Sequence, residues 1–442
     1  MAVKYFVDEN LIPDDGSKDV LAKLDRKITY PGTELYVYPD VHYKNGARVV
    51  NGLLIKSRKY IYPACLGVEN CGFTFGYTDQ GASQQKLAEA AGKFAEKSFE
   101  RKKYSENYIL HYFAKCLRRD FKEKRSLYEA IGYHNADVLI QDSVHYLKRN
   151  RLAKLASDSL CSLGGGNHFI EIHKFAESKD ENLNGRYMVI VHSDSVSVGD
   201  RINLLYSNLS ELDYLESRIR IKSKLKYRLM QMYYFTLRGI IFKSPFELIN
   251  MCVSQKDYRS VKWNTPLGRD LLFAHNIASV FGEMNRRELL RSFSNTAGIK
   301  ISPFTSHCHD NVTIETYQGK KYVIHRNGVQ KAGSDEYFVL PQAMGKGLIL
   351  MKNPKNEKAF YSANHGTGRF KDKPAARCIY SEDETEKQLI NHHISLFRVG
   401  SGNLAEQNYA AFKDIDAVAE QMKKYHLGTP IARTVPIAVI KG

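Results

Sequence analysis

The residues with the most chemistry to offer lie in short glycine- and asparagine-rich segments of this 442-residue chain. In GVENCGFTFG (67–76), Glu69 and Cys71 stand two apart. In extended backbone both would point the same way and share one ion; a buried Cys in a turn, with Glu69 on the surface, is the competing reading. SLGGGNHFIEIH (162–173) puts Asn167, His168 and Glu171 behind three successive glycines. Such a backbone can approach a ligand closely and offer its N–H groups to anionic oxygens. In VIVHSDSVSVGD (189–200), an apolar run ends in His192 before a Ser/Asp/Gly loop, a common position for ligands of ions or phosphates. PDVHYKNG (39–46) adds Asp40 and His42, SHCHDN (306–311) adds His309 and Asp310, and VIHRNG (323–328) adds Arg326. In SANHGTGR (362–369), His365 has small neighbours, Gly366 and Gly368 among them, so it can be approached as a nucleophile must be. Arg369 suits bidentate contact with a phosphate. Cys, several His, carboxylates and glycine loops together point to metal-assisted phosphoryl chemistry on a polyanion. There is no Walker A sequence, no G-x-G-x-x-G after a strand and no G-x-S-x-G elbow.

The elements that must position these residues come in blocks. Residues 20–76 read as short strands and turns, 84–103 as a helix, and 104–156 as mostly helical. Residues 159–199 return to strand and glycine loop, 268–293 have apolar residues at helical spacing, and 312–325 read as a hairpin around Gln318-Gly319. Blocks without regular βα alternation predict an α+β fold. Hydrophobic residues make up 43% of the chain, enough for a sizeable core, and the seven scattered Cys include no C-x-x-C pair, which argues against a disulfide framework or zinc ribbon. No apolar run is long enough to span a bilayer, and the first twenty residues lack a signal-peptide pattern. A soluble, cytoplasmic protein is therefore expected.

The formal net charge of +17 is unevenly placed. Residues 101–155 hold thirteen Lys/Arg against six Asp/Glu, and residues 216–262 hold eleven against three. Within the second stretch, Arg218, Arg220, Lys222 and Lys224 recur at every second residue, followed by Lys226 and Arg228. On a β-strand they would share one face at a spacing of roughly 6.6 Å, comparable with successive phosphates of an extended single strand. A solvated strand or helix face is the alternative. The excess of positive charge points to a nucleic acid partner.

In order along the chain stand PDVH, PACLGVENCGF, LGGGNHFIE, VHSDS, FAHNIASVFGEMNR, CHDN, HRNG, PQAMGKG, SANHGTGR and the terminal PIAVIKG. This series resembles the RtcB family of RNA-splicing ligases, over roughly residues 39–442. The resemblance implies a single large domain over 1–442, with mixed β-sheets around a central metal and nucleotide cleft and helices at the periphery. It implies a GTP- and Mn²⁺-dependent enzyme that joins an RNA 3′-phosphate or 2′,3′-cyclic phosphate to a 5′-hydroxyl through a guanylylated histidine, here His365. Two metal ions would be held by Glu69, Cys71, His168, His192 and one of His309 and Asp310, with Zn²⁺ as an alternative occupant. Asn167, Glu171, Gly366, Gly368 and Lys441 match nucleotide-site positions, and Asp40, His42, Arg326 and Arg369 match others around the site. RNA ends are the implied partner of what would be a monomeric ligase, with an archease-like activator a further candidate. The chain also departs from the pattern: Glu-x-Cys stands for Asp-x-x-Cys, Asp310 for His, Ser193-Asp194-Ser195-Val196 for Ser-Gly-Ser-Arg, Ala343 for Ser and Asn327 for Lys. These departures keep two other readings open: a catalytically weak relative that binds RNA ends or ribosomes, and a metal-dependent phosphatase or cyclic phosphodiesterase of RNA ends.

Overall fold

Strand Tyr187–Ser193, YMVIVHS, is buried along its whole length. A strand of that kind needs a partner on each edge and cover on both faces. A computed structural model, which describes residues 3–13, 16–28, 30–44, 49–65, 70–98, 104–202, 260–333 and 335–442, supplies both. The strand pairs antiparallel with Gly72–Thr78 on one side and Phe169–Ser178 on the other. These are the middle of an eight-stranded sheet. Its order runs Tyr337–Pro341, Leu348–Lys352, Thr429–Lys441, Phe169–Ser178, Tyr187–Ser193, Gly72–Thr78, Ile301–Cys308, and Ser395–Arg398 lies parallel to the Thr429–Lys441 strand. A second, five-stranded sheet is ordered Val3–Tyr5, Thr33–His42, Asn51–Ser57, Lys320–Asn327, Asp310–Tyr317.

The two sheets are joined by a single residue. Strand Ile301–Cys308 ends the first sheet, Asp310–Tyr317 begins on the second, and His309 sits between them. Its backbone N–H donates to Cys71 O (2.9 Å) and its carbonyl accepts from Val329 N (3.0 Å). Beside this junction a short pair, Val329–Lys331 with Ser362–Asn364, delivers the chain to His365.

Helices cover the sheets. The longest, Pro266–Ala297, starts at an N-cap where the Thr265 side chain accepts from Gly268 N, has Pro at its first turn, and ends at Gly298 with φ 57°. Cap, proline and left-handed glycine are the signals that bound a helix in sequence. Leu272, Ile277, Ala278, Phe281 and Met284 enter a core with the helices Glu106–Glu123 and Ala136–Arg149, while Leu290 and Phe293 enter another beneath Gln84–Ser98. Each such fully buried Leu, Ile or Phe contributes about 1.5–3 kcal/mol.

The expected α+β arrangement is the one observed, and the hairpin expected in 312–325 forms with Gln318 and Gly319 at its turn. One element differs. Ser17–Lys27 is a helix within and before the stretch read as strands and turns; Leu21 and Leu24, with Ile28 at its C-cap, are buried apolar residues at helical spacing. The basic stretch 101–155 is largely the helices Glu106–Glu123, Arg125–Ala130 and Ala136–Arg149, whereas Arg218, Arg220, Lys222 and Lys224 lie outside the described residues. No described helix is long and apolar enough to cross a membrane.

Candidate active site

Strand ends bring the distant segments together. Cys71 directly precedes strand Gly72–Thr78, His168 directly precedes Phe169–Ser178, and His192 is the penultimate residue of Tyr187–Ser193. Because these three strands are neighbours, the ligand-capable atoms of Cys71, His168 and His192 fall within 4.8 Å of one another, all three residues buried. Cys71 Sγ lies 3.5 Å from His168 Nε2. His309, from the sheet junction, places its Nε2 3.2 Å from His192 Nε2. Glu69 lies outside the described residues.

The hydrogen bonds fix the tautomers. His192 Nδ1 faces the carbonyl of Asn167 at 3.3 Å, so that nitrogen carries the proton. Asp310 Oδ2 lies 3.5 Å from His309 Nδ1, and Asp310 Oδ1 accepts from Gly328 N at 2.8 Å. The two Nε2 atoms face each other at 3.2 Å, close enough to share one proton or one cation. Burial, then the neighbouring His168 and His309, pushes His192 well below the usual imidazole range. Burial, then His365, brings His309 to about 4. The charged forms of both rings are thus disfavoured, and a metal ion would satisfy the pair. Two imidazoles on one tetrahedral ion at about 2.1 Å sit about 3.4 Å apart, and a thiolate and an imidazole about 3.6 Å apart. The observed 3.2 and 3.5 Å fit such a group. His309 faces the group and Asp310 orients it from behind.

His365 lies against this centre, its ring 4.5 Å from that of His309. Its Nδ1 faces two acceptors, Asp40 Oδ2 at 2.6 Å and Gly328 O at 2.7 Å, and its backbone N–H donates to the same carboxylate at 3.1 Å. The proton is therefore on Nδ1 and the lone pair on Nε2. Burial disfavours the charged ring, but the hydrogen bond and charge of Asp40 outweigh it, and the His365 pKa is raised. Asp40 is fully buried. The carbonyls on either side of it, Pro39 O and Val41 O, accept from the buried Lys413 Nζ at 2.9 and 2.6 Å. Gly368 permits the close approach: a Cβ there would meet Asp40 O at 2.4 Å, and its φ is +75°.

A cavity of about 390 Å³ opens over these groups, lined by Cys71, Asn167, His192, His309, Asp310 and His365 together with the cations Arg369, Lys373 and Arg377. Arg369 stacks on Phe412 with 4.1 Å to the ring centroid and donates from Nη2 to Glu406 O at 2.7 Å. Among the described residues its Nη1 has no hydrogen-bond partner, and burial lowers its pKa to about 10. His42 also lines the cavity; its Nδ1 donates to Asp40 O (2.7 Å) and its Nε2 accepts from Asn51 (3.1 Å).

Three of the expected positions lie behind this surface. Glu171 pairs with His173 at 3.0 Å. Lys441 Nζ donates to Gly166 O, to His168 O (3.3 Å) and to Gly442 O (2.8 Å), and burial lowers its pKa to about 8. Arg326, without exposure, clasps Glu315 at 2.6 and 3.2 Å and does not line the cavity. Two residues near the site carry no role in the sequence reading. Arg286, from the long helix, is buried and donates to Asn70 O (3.3 Å) and Ser193 O (3.0 Å), bracing the strand ends that bear Cys71 and His192. Asp194 stands 4.0 Å from His168. The FGEMNR and VHSDS segments contain them, but only folding shows what they face.

Two mixed sheets whose ends gather a thiol and three imidazoles beside a carboxylate-held histidine define an α+β protein with a metal-capable centre. The comparisons sharpen this. The profile described as tRNA-splicing ligase RtcB matches residues 26–442, and the chain belongs to that family. It is 24% identical to the RNA-splicing ligase RtcB of Escherichia coli K12 over 408 residues, 89% of this chain and 86% of that protein. It is also 24% identical to the tRNA-splicing ligase RtcB of Aeropyrum pernix over 322 residues, 65% of this chain and 60% of that protein.

Proposed function

We propose that this protein is an RNA ligase that joins RNA 3′-phosphate or 2′,3′-cyclic phosphate ends to 5′-hydroxyl ends, using GTP, divalent metal and a guanylylated His365. The observation that carries the reading is the fixed tautomer of His365, with its Nε2 lone pair free and its ring against the Cys/His group. Membership of the RtcB family supports it.

Two Mn²⁺ ions held by Cys71, His168, His192 and His309, with Glu69 as a further ligand, would neutralise the triphosphate and charge on the transferred phosphoryl. His365 Nε2 attacks the α-phosphorus of GTP; an N–P bond forms, a P–O bond breaks, and pyrophosphate leaves. Asp40 stabilises the imidazole as it becomes cationic. The RNA 3′-phosphate oxygen then takes GMP from Nε2, restoring the neutral ring. The 5′-hydroxyl attacks that activated phosphorus, its proton is lost, and GMP departs. Arg369, a cation of the cavity lining, is the group we assign to a phosphate. Asn167, Glu171, Gly366, Gly368 and Lys441 belong to the same proposal as the nucleotide site. So do the basic segments as RNA-facing parts, a cytoplasmic monomer, and an archease-like activator.

The test is incubation with α-labelled GTP and Mn²⁺ followed by denaturation. Label should stay on the chain and vanish in His365→Ala. Absence of label from the wild type would refute guanylylation. Release of a 2′,3′-cyclic end without GTP would favour the phosphodiesterase, and salt-dependent RNA binding with no label the non-catalytic relative.

A further inference from the structure

We infer that Arg326 is a positioning residue for His365, locking from outside the cavity the turn that delivers the histidine; this rests on the reading of His365 as the nucleophile. The chain approaches His365 in an unfavourable backbone conformation. Phe360 and Tyr361 have φ +54° and +49° in succession. Residues other than Gly, Asn and Asp seldom enter the left-handed region, and two large aromatic ones in a row do so only where their surroundings hold them. Strand Ser362–Asn364 follows at once, and His365 is the next residue.

What holds this turn is the fully buried side chain of Arg326. Its Nη2 donates to Phe360 O at 3.3 Å and its Nε to Ser362 Oγ at 3.0 Å. The Ser362 hydroxyl donates in turn to Phe360 O at 2.8 Å. Nη1 and Nη2 also clasp Glu315, at 2.6 and 3.2 Å, which compensates the buried charge and fixes the plane of the guanidinium. The main chain of Arg326 leads to the same place. Two residues on, Gly328 O accepts from His365 Nδ1 at 2.7 Å, and Val329–Lys331 then pairs with Ser362–Asn364. The arginine thus ties together the two segments whose relative position sets the His365 ring. A planar fork is needed for this. A lysine ammonium is a point charge that can compensate Glu315, but it does not span Glu315, Phe360 O and Ser362 Oγ together.

The test compares two variants with the wild-type full-length protein. Arg326→Lys keeps a charge for Glu315, and Ser362→Ala keeps Arg326 with its Glu315 pair, so it carries the test should Arg326→Lys fail to fold. The first readout is single-turnover label transfer from α-labelled GTP at fixed Mn²⁺, over a range of GTP concentrations. A misplaced reacting group can cost about 100-fold, so the maximal rate should fall about 10- to 100-fold in Arg326→Lys. In Ser362→Ala it should fall about 5-fold, for one neutral hydrogen bond. Half-saturating GTP should stay unchanged in both. The second readout is the low-field proton resonance of the His365 Nδ1–H, held by Asp40 Oδ2 at 2.6 Å and Gly328 O at 2.7 Å. It is read without GTP and identified by its loss in His365→Ala. Both variants should shift or broaden it at temperatures where they remain folded, which a loss of stability alone would not do. Wild-type maximal rates, or slower rates with the resonance unmoved, would overturn the role of Arg326. Absence of label from the wild type would instead refute guanylylation, and the resonance would still decide whether Arg326 positions the ring.

Discussion

Replacing Asp40 with Asn removes one negative charge from His365 and almost nothing else. The carboxylate accepts from the ring Nδ1 at 2.6 Å and from the His365 backbone N–H at 3.1 Å. A hydrogen bond to a charged group contributes about 1.5–3 kcal/mol. At about 1.4 kcal/mol per tenfold in rate, losing it as the ring becomes cationic should slow label transfer from GTP about 10- to 150-fold. Gly328 O still accepts from Nδ1 at 2.7 Å, so the tautomer survives and the loss stays below the roughly 10⁴-fold cost of a wrong one. The pH profile gives an independent reading. Burial lowers the His365 pKa and Asp40 raises it, so without the charge the pKa falls. The acid limb of label transfer, where the nucleophile becomes protonated, then moves to lower pH. The linked stability has the opposite dependence. A raised folded-state pKa stabilises below the ordinary 6.5 and stops doing so as pH rises through the raised value. Asp40→Asn should therefore cost more stability at pH 6 than at pH 9. Single-turnover labelling at fixed Mn²⁺, from pH 5.5 to 9, is the assay. A wild-type rate with an unmoved acid limb would refute the role of Asp40.

Other parts of the fold give simpler tests. His275 accepts from Val312 N at 3.3 Å and His325 from Tyr62 N at 3.2 Å, and burial, the leading cause for each, lowers them to about 4 and about 3. Their folded pKa values lie below the unfolded 6.5, so the unfolded chain takes up protons first. Stability should fall by about 2 kcal/mol per histidine between pH 7 and 5, and a pH-independent urea midpoint over that range would contradict this. Arg326→Met leaves Glu315 with only Lys331 (2.9 Å) and Tyr317 as partners and should cost about 1.5–3 kcal/mol, the value of a hydrogen bond to a charged group, checked by urea unfolding; no measurable loss would count against the buried pair. Lys413→Met strands Pro39 O and Val41 O, at about 1–3 kcal/mol each. It should slow label transfer while Mn²⁺ affinity stays at the wild-type value, and a wild-type rate would show that Asp40 is held without it.

Sequence alone determined whatever is local. A helical apolar repeat marks a helix over 268–293, which the fold extends to Pro266–Ala297, and a two-sided apolar pattern around Gln318-Gly319 makes a hairpin. Family motifs are local too, so Cys71, His168, His192 and His365 were visible as candidates before any of them had a neighbour. The helix at Ser17–Lys27 was missed because turn residues on its flanks outweighed a short apolar repeat. Folding alone decided how the candidates are divided. His309 and Asp310 are adjacent and both can bind metal, yet the junction between the sheets turns His309 towards His192 and Asp310 behind it. Arg326 and Arg369 look alike as phosphate binders, but one is locked to Glu315 and the other lines the cavity. The physical reason is that a side chain's chemistry is set by what lies within about 4 Å of it, and here those neighbours arrive from strand ends far apart in the chain.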